Sequence, residues 1–165
     1  MRKHLKIVED NKASKVIRLA NSLLDFIALA VVNLILYVIF TFLYNTTSIE
    51  LFFLLNHGGF LWDMAVGIVV SFTYHFLAES LSDGKTFGKI ITSTKVISID
   101  GIKPSTKQYF LRSLVRQVPF DFLSFLGYNG WHDSWSDTRV ISIKNYEAER
   151  QAKSDIESIG TKEFA

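Results

Sequence analysis

The amino-acid sequence predicts an α-helical membrane protein: a two-helix transmembrane hairpin, an amphipathic or re-entrant third helix, and a small cytoplasmic β-ribbon. Three observations carry this reading. Residues 26–49 form a run of 24 without a single charge, mostly Leu, Ile, Val, Phe and Ala. As a helix this run is roughly 36 Å long, against about 30 Å for a bilayer core. A second apolar stretch, about residues 60–80, carries its acids only near its ends, Asp63 and Glu79. Finally, residues 94–99 (TKVISI) and 138–143 (TRVISI) repeat one β-branched, alternating pattern, which is a strand signature.

Composition fits. The chain has 165 residues, enough for one domain. Its hydrophobic share, 48%, is ordinary, so the signal lies in how the apolar residues are distributed. Phe is abundant (14) and Pro rare (2), as suits long lipid-facing helices. The absence of Cys excludes disulfides, thiol chemistry and thiolate metal sites. A net charge of +2 is too small to suggest nucleic acid as a partner.

The elements follow in order. The head, residues 1–15, is basic (Arg2, Lys3, Lys6, Lys12, Lys15), and Ser14 can cap the helix after it. The first membrane helix spans about 16–44, with Tyr37 and Tyr44 toward its far end, where aromatic residues meet headgroups. It is too long, and its polar head too extended, for a cleaved signal, so it reads as an anchor. Residues 45–59 turn the chain, with apolar residues 51–55 resting on the membrane surface. The second membrane helix covers 60–80. A loop with Gly84 and Gly88 leads to the first strand, and Asp100-Gly101 marks a turn. Ser105 and Gln108 form a capping box for a helix from Thr106.

That third helix, 106–128, is interrupted by Pro119. Arg112 and Arg116 lie four apart on one face, and Phe110, Leu111, Leu114, Val115 and Val118 occupy the rest. This suits a helix at the membrane surface; a re-entrant segment and a third crossing stay open. The membrane domain ends near residue 145, and 146–165 reads as a charged, flexible tail.

Lys and Arg placement sets the orientation. The head carries six with Arg18 included, residues 45–59 carry none, and residues 82–107 carry five. The N-terminus and the strands are therefore expected on the cytoplasmic side of a plasma (inner) membrane.

The membrane helices also carry polar stripes. Arg18, Asn21 and Asp25 recur on one face of the first, and Asp63, Gly67, Ser71, His75 and Glu79 step by four along the second. Polar side chains in hydrocarbon seek partners, and Gly67 and Ser71 would allow close approach. A hairpin register sets Asp25 at the depth of His75 and Glu79. The expected cluster is Arg18, Asp25, His75 and Glu79, with Arg112 or Arg116 in reach. An intramembrane Asp costs about 2.5–3.5 kcal/mol on insertion scales. Two uses fit: an ion or proton pathway, or a salt-bridge clamp that docks the third segment onto the hairpin.

Arg18 and Asp25 in the first helix, Gly84-Lys85-Thr86-Phe87-Gly88-Lys89, the strand with Lys95-Val96-Ile97, Asp100-Gly101, Arg112, and His132-Asp133 followed by Thr138 and Val140 stand in a distinctive order. In that order the chain resembles the RDD family of small membrane proteins along nearly its whole length. The resemblance implies Asp133 as the family's second aspartate, with Asp137 as a rival. The family often has Gly just before that Thr; this chain has Asp137 there. The resemblance also implies transport of unidentified ligands, with cation/proton exchange linked to some members.

Other motifs lead elsewhere. The glycines of residues 84–89 are too close for a phosphate loop, and Ile90 stands where Ser or Thr would be needed. His4, His57, His75 and His132 lack metal-ligand spacing. His132-Asp133 has no nucleophile beside it, and Trp131 and Trp135 mark an interface. Asn45-Thr46-Thr47 matches a glycosylation sequon of little weight. No enzyme activity, cofactor or metal is expected. Two functions remain. One is a transport component in which Asp25 binds an ion and Arg18 sets its charge, which requires a homo-oligomer or membrane partner proteins. The other is a non-transporting accessory or assembly protein that binds a partner complex or anionic lipid.

Overall fold

The computed structural model describes residues 5–118 and 130–163, with side chains to residue 156. A short helix, α1 (Lys6–Asp10), opens the chain. Ser14 then caps α2 (Lys15–Thr47) as expected, its hydroxyl accepting from Ile17 N at 3.3 Å. At 33 residues α2 is about 50 Å long. It passes the predicted end at residue 44, and the Thr46 and Thr47 hydroxyls bond back to the Leu43 carbonyl within its last turn. The left-handed Ser48 (φ 55°) ends it.

Residues 51–55, expected at a membrane surface, lie in α3 (Glu50–His57), which folds back on the end of α2 and leaves Leu51, Phe53 and Leu54 about half exposed. Phe53 lies 5.3 Å from Tyr44 between ring centres, and Asn56 donates to the Tyr37 carbonyl and the Thr41 hydroxyl. Ring packing and a satisfied amide hold α3 in this return. Gly59, at φ 89°, then turns the chain into α4 (Phe60–Leu81), 22 residues and about 33 Å long.

Both α2 and α4 are long and apolar enough to cross a membrane. None of the most apolar stretch of α2 is buried within the chain, unlike the core helix of a water-soluble fold. Phe26 (71%), Phe60 (81%) and Val69 (63%) face outward. Uncovered apolar surface on this scale is consistent with a lipid environment.

The two helices do not pack tightly. At Gly67 an added Cβ would meet nothing within 4 Å, so this glycine does not serve the close approach the stripe suggested. A cleft of about 330 Å³, lined by Asn33, Tyr37, Asn56, Asp63, Gly67 and Val70, separates α2, α3 and α4 instead.

Beyond α4 come α5 (Phe87–Ile91), β1 (Thr94–Ser98), α6 (Thr106–Val115), α7 (Trp131–Trp135), β2 (Thr138–Ser142) and α8 (Ile143–Glu163). The repeated strands pair antiparallel, Val96 opposite Val140 and Ser98 opposite Thr138. Their shared pattern now has a reason. Alternation puts Thr94, Val96, Ser98, Thr138 and Val140 on one face of the ribbon. Thr94, Ser98 and Thr138 are buried there, with hydroxyls turned to side chains from α2 and α6. On the other face Ile97 and Ile141 pack with Val8 of α1 and Tyr146 of α8. The head is therefore not loose from Leu5 onward: Leu5 N donates to Ile99 O and Ala13 N to Val140 O, each at 2.9 Å.

The capping box at Ser105 and Gln108 forms as expected. The described third helix ends at Val115, with turns to Val118. Residues 119–129, and with them the surface, re-entrant and crossing alternatives for the rest of 106–128, lie outside the described residues. Arg112 is fully buried and faces inward toward the cluster it was expected to reach, while Phe110 and Leu114 are about half exposed. The segment read as a flexible tail begins inside α8, where Gln151–Asp155 and Lys153–Glu149 bonds join successive turns.

Candidate functional site

The ends of α2 and α4 meet α5, α6 and α7 around a set of buried charges. Arg112 of α6 stands at the centre. Its Nε donates to Glu79 Oε2 at 2.9 Å, and one terminal nitrogen donates to Asp133 Oδ1 at 2.5 Å and to the Thr138 hydroxyl. All three charged groups are 0% exposed. Arg18, in the first turns of α2, donates to the other Asp133 oxygen at 3.0 Å. Lys89 of α5 donates to Glu79 Oε1 at 2.5 Å, and Arg116 approaches the same oxygen at 3.5 Å. The result is one chain of ion pairs: Arg18, Asp133, Arg112, Glu79 and Lys89, drawn from five helices.

Burying an ion costs several kcal/mol, and only close pairing offsets this. The titration behaviour follows. Burial pushes the Asp133 carboxyl up, but Arg112, His132 and Arg18 outweigh it, and the group titrates well below the usual carboxylate range. For Lys89, burial works against the ammonium and Glu79 for it, while Arg116 and Arg112 add repulsion; its pKa falls to about 8.

Asp25 is held differently. Its Oδ2 accepts from the Thr86 hydroxyl at 2.7 Å, and its Oδ1 accepts from Gly88 N–H at 2.8 Å and Tyr74 O–H at 3.1 Å. This carboxylate on α2 thus holds the start of α5. Contact there is intimate: a Cβ at Gly88 would lie 2.5 Å from the Asn21 carbonyl oxygen, so only glycine fits. Asn21 joins the ribbon to the same spot, donating to Thr94 and accepting from Thr92. Gln108 fastens α6 to the ribbon through Ser98 and the Ser136 carbonyl.

The structure brings together Arg18, Asp25, His75, Glu79, Arg112 and Asp133, all buried, but not in the expected pairs. Arg18 makes its ion pair with Asp133, not Asp25. His75 is hydrogen-bonded within its own helix: Nδ1 lies 2.9 Å from the Ser71 carbonyl, which can only accept, so that nitrogen carries the proton. Sequence reasoning missed Lys89, Thr86 and Tyr74. Lys89 is one of the five charges of residues 82–107 that set the expected orientation, yet it is 2% exposed. A signal existed in its place between Gly88 and two isoleucines, an apolar setting for an ammonium.

A small cavity of about 20 Å³ lies beside the network, lined among others by Arg18, Asn21, Asp25, Lys89, Arg116 and His132. Among the described residues, no three His, Asp or Glu side chains are grouped to hold a metal ion.

The sequence profile of the RDD family matches residues 12–142, a span that holds every residue of this network. No curated protein and no solved structure matches the chain.

Proposed function

This chain belongs to the RDD family, and we propose that it is a multi-pass membrane protein of accessory or assembly type. In this reading α2 and α4 cross the plasma (inner) membrane, and the N-terminus, ribbon and ionic network sit on the cytoplasmic side. The network is a clamp that fixes α5, α6 and the ribbon onto the hairpin. The partners are lipid and further membrane protein, either a second copy or a different chain, seated on the exposed apolar faces.

One observation supports this above others: both oxygens of Asp25, Glu79 and Asp133 already accept from donors of the same chain. A carrier site needs a carboxylate with a place left for its ion. Asp25→Asn turns an acceptor into a donor facing Thr86 or Gly88, so the variant should accumulate poorly in membranes. A variant at wild-type abundance and wild-type melting temperature would sink the proposal.

Lys89 supports a second reading, proton-coupled ion exchange within an oligomer. Its ammonium sits on Glu79 with a pKa of about 8, close enough to neutrality to release a proton as a cation arrives. Cation-driven proton flux in proteoliposomes, lost in Lys89→Met at matched incorporation, would favour this reading; no flux across several cations would remove it.

A further inference from the structure

Every carboxylate oxygen of the network accepts a hydrogen bond, whereas three of its guanidinium nitrogens, Arg18 Nε, Arg112 Nη2 and Arg116 Nε, are buried without an acceptor. Among the described residues, Arg18, Lys89, Arg112 and Arg116 face three carboxylates, Asp25, Glu79 and Asp133, which leaves one formal positive charge in excess. The excess has a location. Arg18 and Arg116 both line the cavity of about 20 Å³, and each has a buried Nε with no acceptor. Arg18 is only 6% exposed, so bulk water does not supply that acceptor. Buried donors without partners are rare and call for an occupant.

Asp25 is the acid lining the cavity, yet its two oxygens are engaged by Thr86, Gly88 and Tyr74. Asn21 likewise spends its amide on Thr94 and its oxygen on Thr92. Arg18 and Arg116 therefore bring uncommitted guanidinium donors to this cavity, which the Ser22 hydroxyl and His132 also line. Its size admits one water or one monatomic ion and is too small for phosphate or sulfate. Water would satisfy the donors and leave the charge. The depressed pKa of Lys89, to which Arg116 and Arg112 contribute after burial, is a mark of that uncompensated charge.

We propose that the cavity bounded by Arg18, Lys89 and Arg116 is a binding site for one small monovalent anion of halide type, which completes the charge balance of the ionic network. The anion accepts from the Arg18 and Arg116 Nε groups and faces the Lys89 ammonium. It is a structural ion of the clamp and needs no transport role.

The test uses the full chain in detergent at constant ionic strength, exchanging gluconate for chloride or bromide. Wild type should show a saturable rise in Tm with either halide and none with sulfate. Arg116→Gln should lose that rise. This residue is chosen because its ion contact to Glu79 is long at 3.5 Å, and Glu79 keeps Arg112 and Lys89. Should Arg116→Gln not fold, chloride NMR on the wild type replaces it: halide line broadening that saturates on titration supports the site, and broadening indistinguishable from buffer overturns it. Equal Tm of wild type in chloride and gluconate overturns the proposal, because water then suffices. An undiminished halide effect in folded Arg116→Gln overturns it too, by placing the ion elsewhere.

Discussion

Arg112 and Glu79 meet across the packing of α6 on α4, Nε to Oε2 at 2.9 Å, and neither is exposed at all. Arg112 is also the bridge to Asp133, so a single guanidinium neutralises two buried carboxylates from different elements. It fastens α6 and α7 to α4, while Asp25 and Asn21 fasten α5 and the ribbon to α2.

Arg112→Met should therefore be severe. It strands Glu79 with Lys89 and the distant Arg116, and Asp133 with Arg18 and the neighbouring His132. Breaking a buried pair from one side costs about 3–5 kcal/mol, whereas replacing all members with apolar groups is often neutral. Thermal unfolding in detergent should thus find Arg112→Met far less stable than wild type, and a variant with all five members made apolar (Arg18→Met, Glu79→Leu, Lys89→Met, Arg112→Met and Asp133→Leu) less damaged than the single variant. A fivefold variant worse than the single one would show that the charges do more than hold the fold.

Gly88→Ala probes the seam between α5 and α2 without touching a charge. Its Cβ would lie 2.5 Å from the Asn21 carbonyl oxygen, a backbone atom that cannot swing away. Overpacking of this kind costs about 1–3 kcal/mol. The expected result is a lower Tm, together with faster proteolysis at the turn of residues 82–86 as α5 lifts.

Stability should depend on pH at both ends. The folded Asp133 carboxyl titrates below its unfolded value. Its contribution is full above the unfolded value of about 3.9 and is lost as pH falls below that. Folded Lys89 titrates at about 8 instead of the ordinary 10.5. Between those values the unfolded chain binds more protons, so the Lys89 contribution makes stability rise with pH. Tm measured against pH should show both limbs. Asp133→Asn should flatten the acid one and Lys89→Met the alkaline one.

Ser105→Ala removes the hydroxyl that accepts from Gln108 N and one half of the capping box. A lost cap costs about 1 kcal/mol. Because Gln108 also holds Ser98 and the Ser136 carbonyl, a loss well beyond that figure in a melting experiment would mean that the cap positions this side chain as well.

Local signals were legible wherever local physics decides the outcome. The two apolar runs, the Ser14 and Ser105 caps, and the paired TKVISI and TRVISI strands follow from hydropathy, side-chain capping and alternation, and each is present. The membership of the buried cluster was legible too, since charged residues at helical spacing in an apolar run must find partners. Their pairing was not. Whether Arg18 meets Asp25 or Asp133 depends on where α7 docks, and no spacing within α2 encodes that. Lys89 was hidden for a related reason: a loop lysine and a buried lysine read alike until α5 is pressed against α2. The return of α3 onto α2 rests on ring contacts formed only in three dimensions.

The Arg18–Asp133 bond spans 115 positions of the chain. Translation delivers these two groups at different times. In the proposed topology the hairpin enters the bilayer before the carboxylate that neutralises Arg18 has been made. Glu79, likewise, waits for Arg112. A prematurely stopped chain then keeps unmatched charges that a finished chain hides, and closure of the network is a timestamp of completion, written in electrostatics.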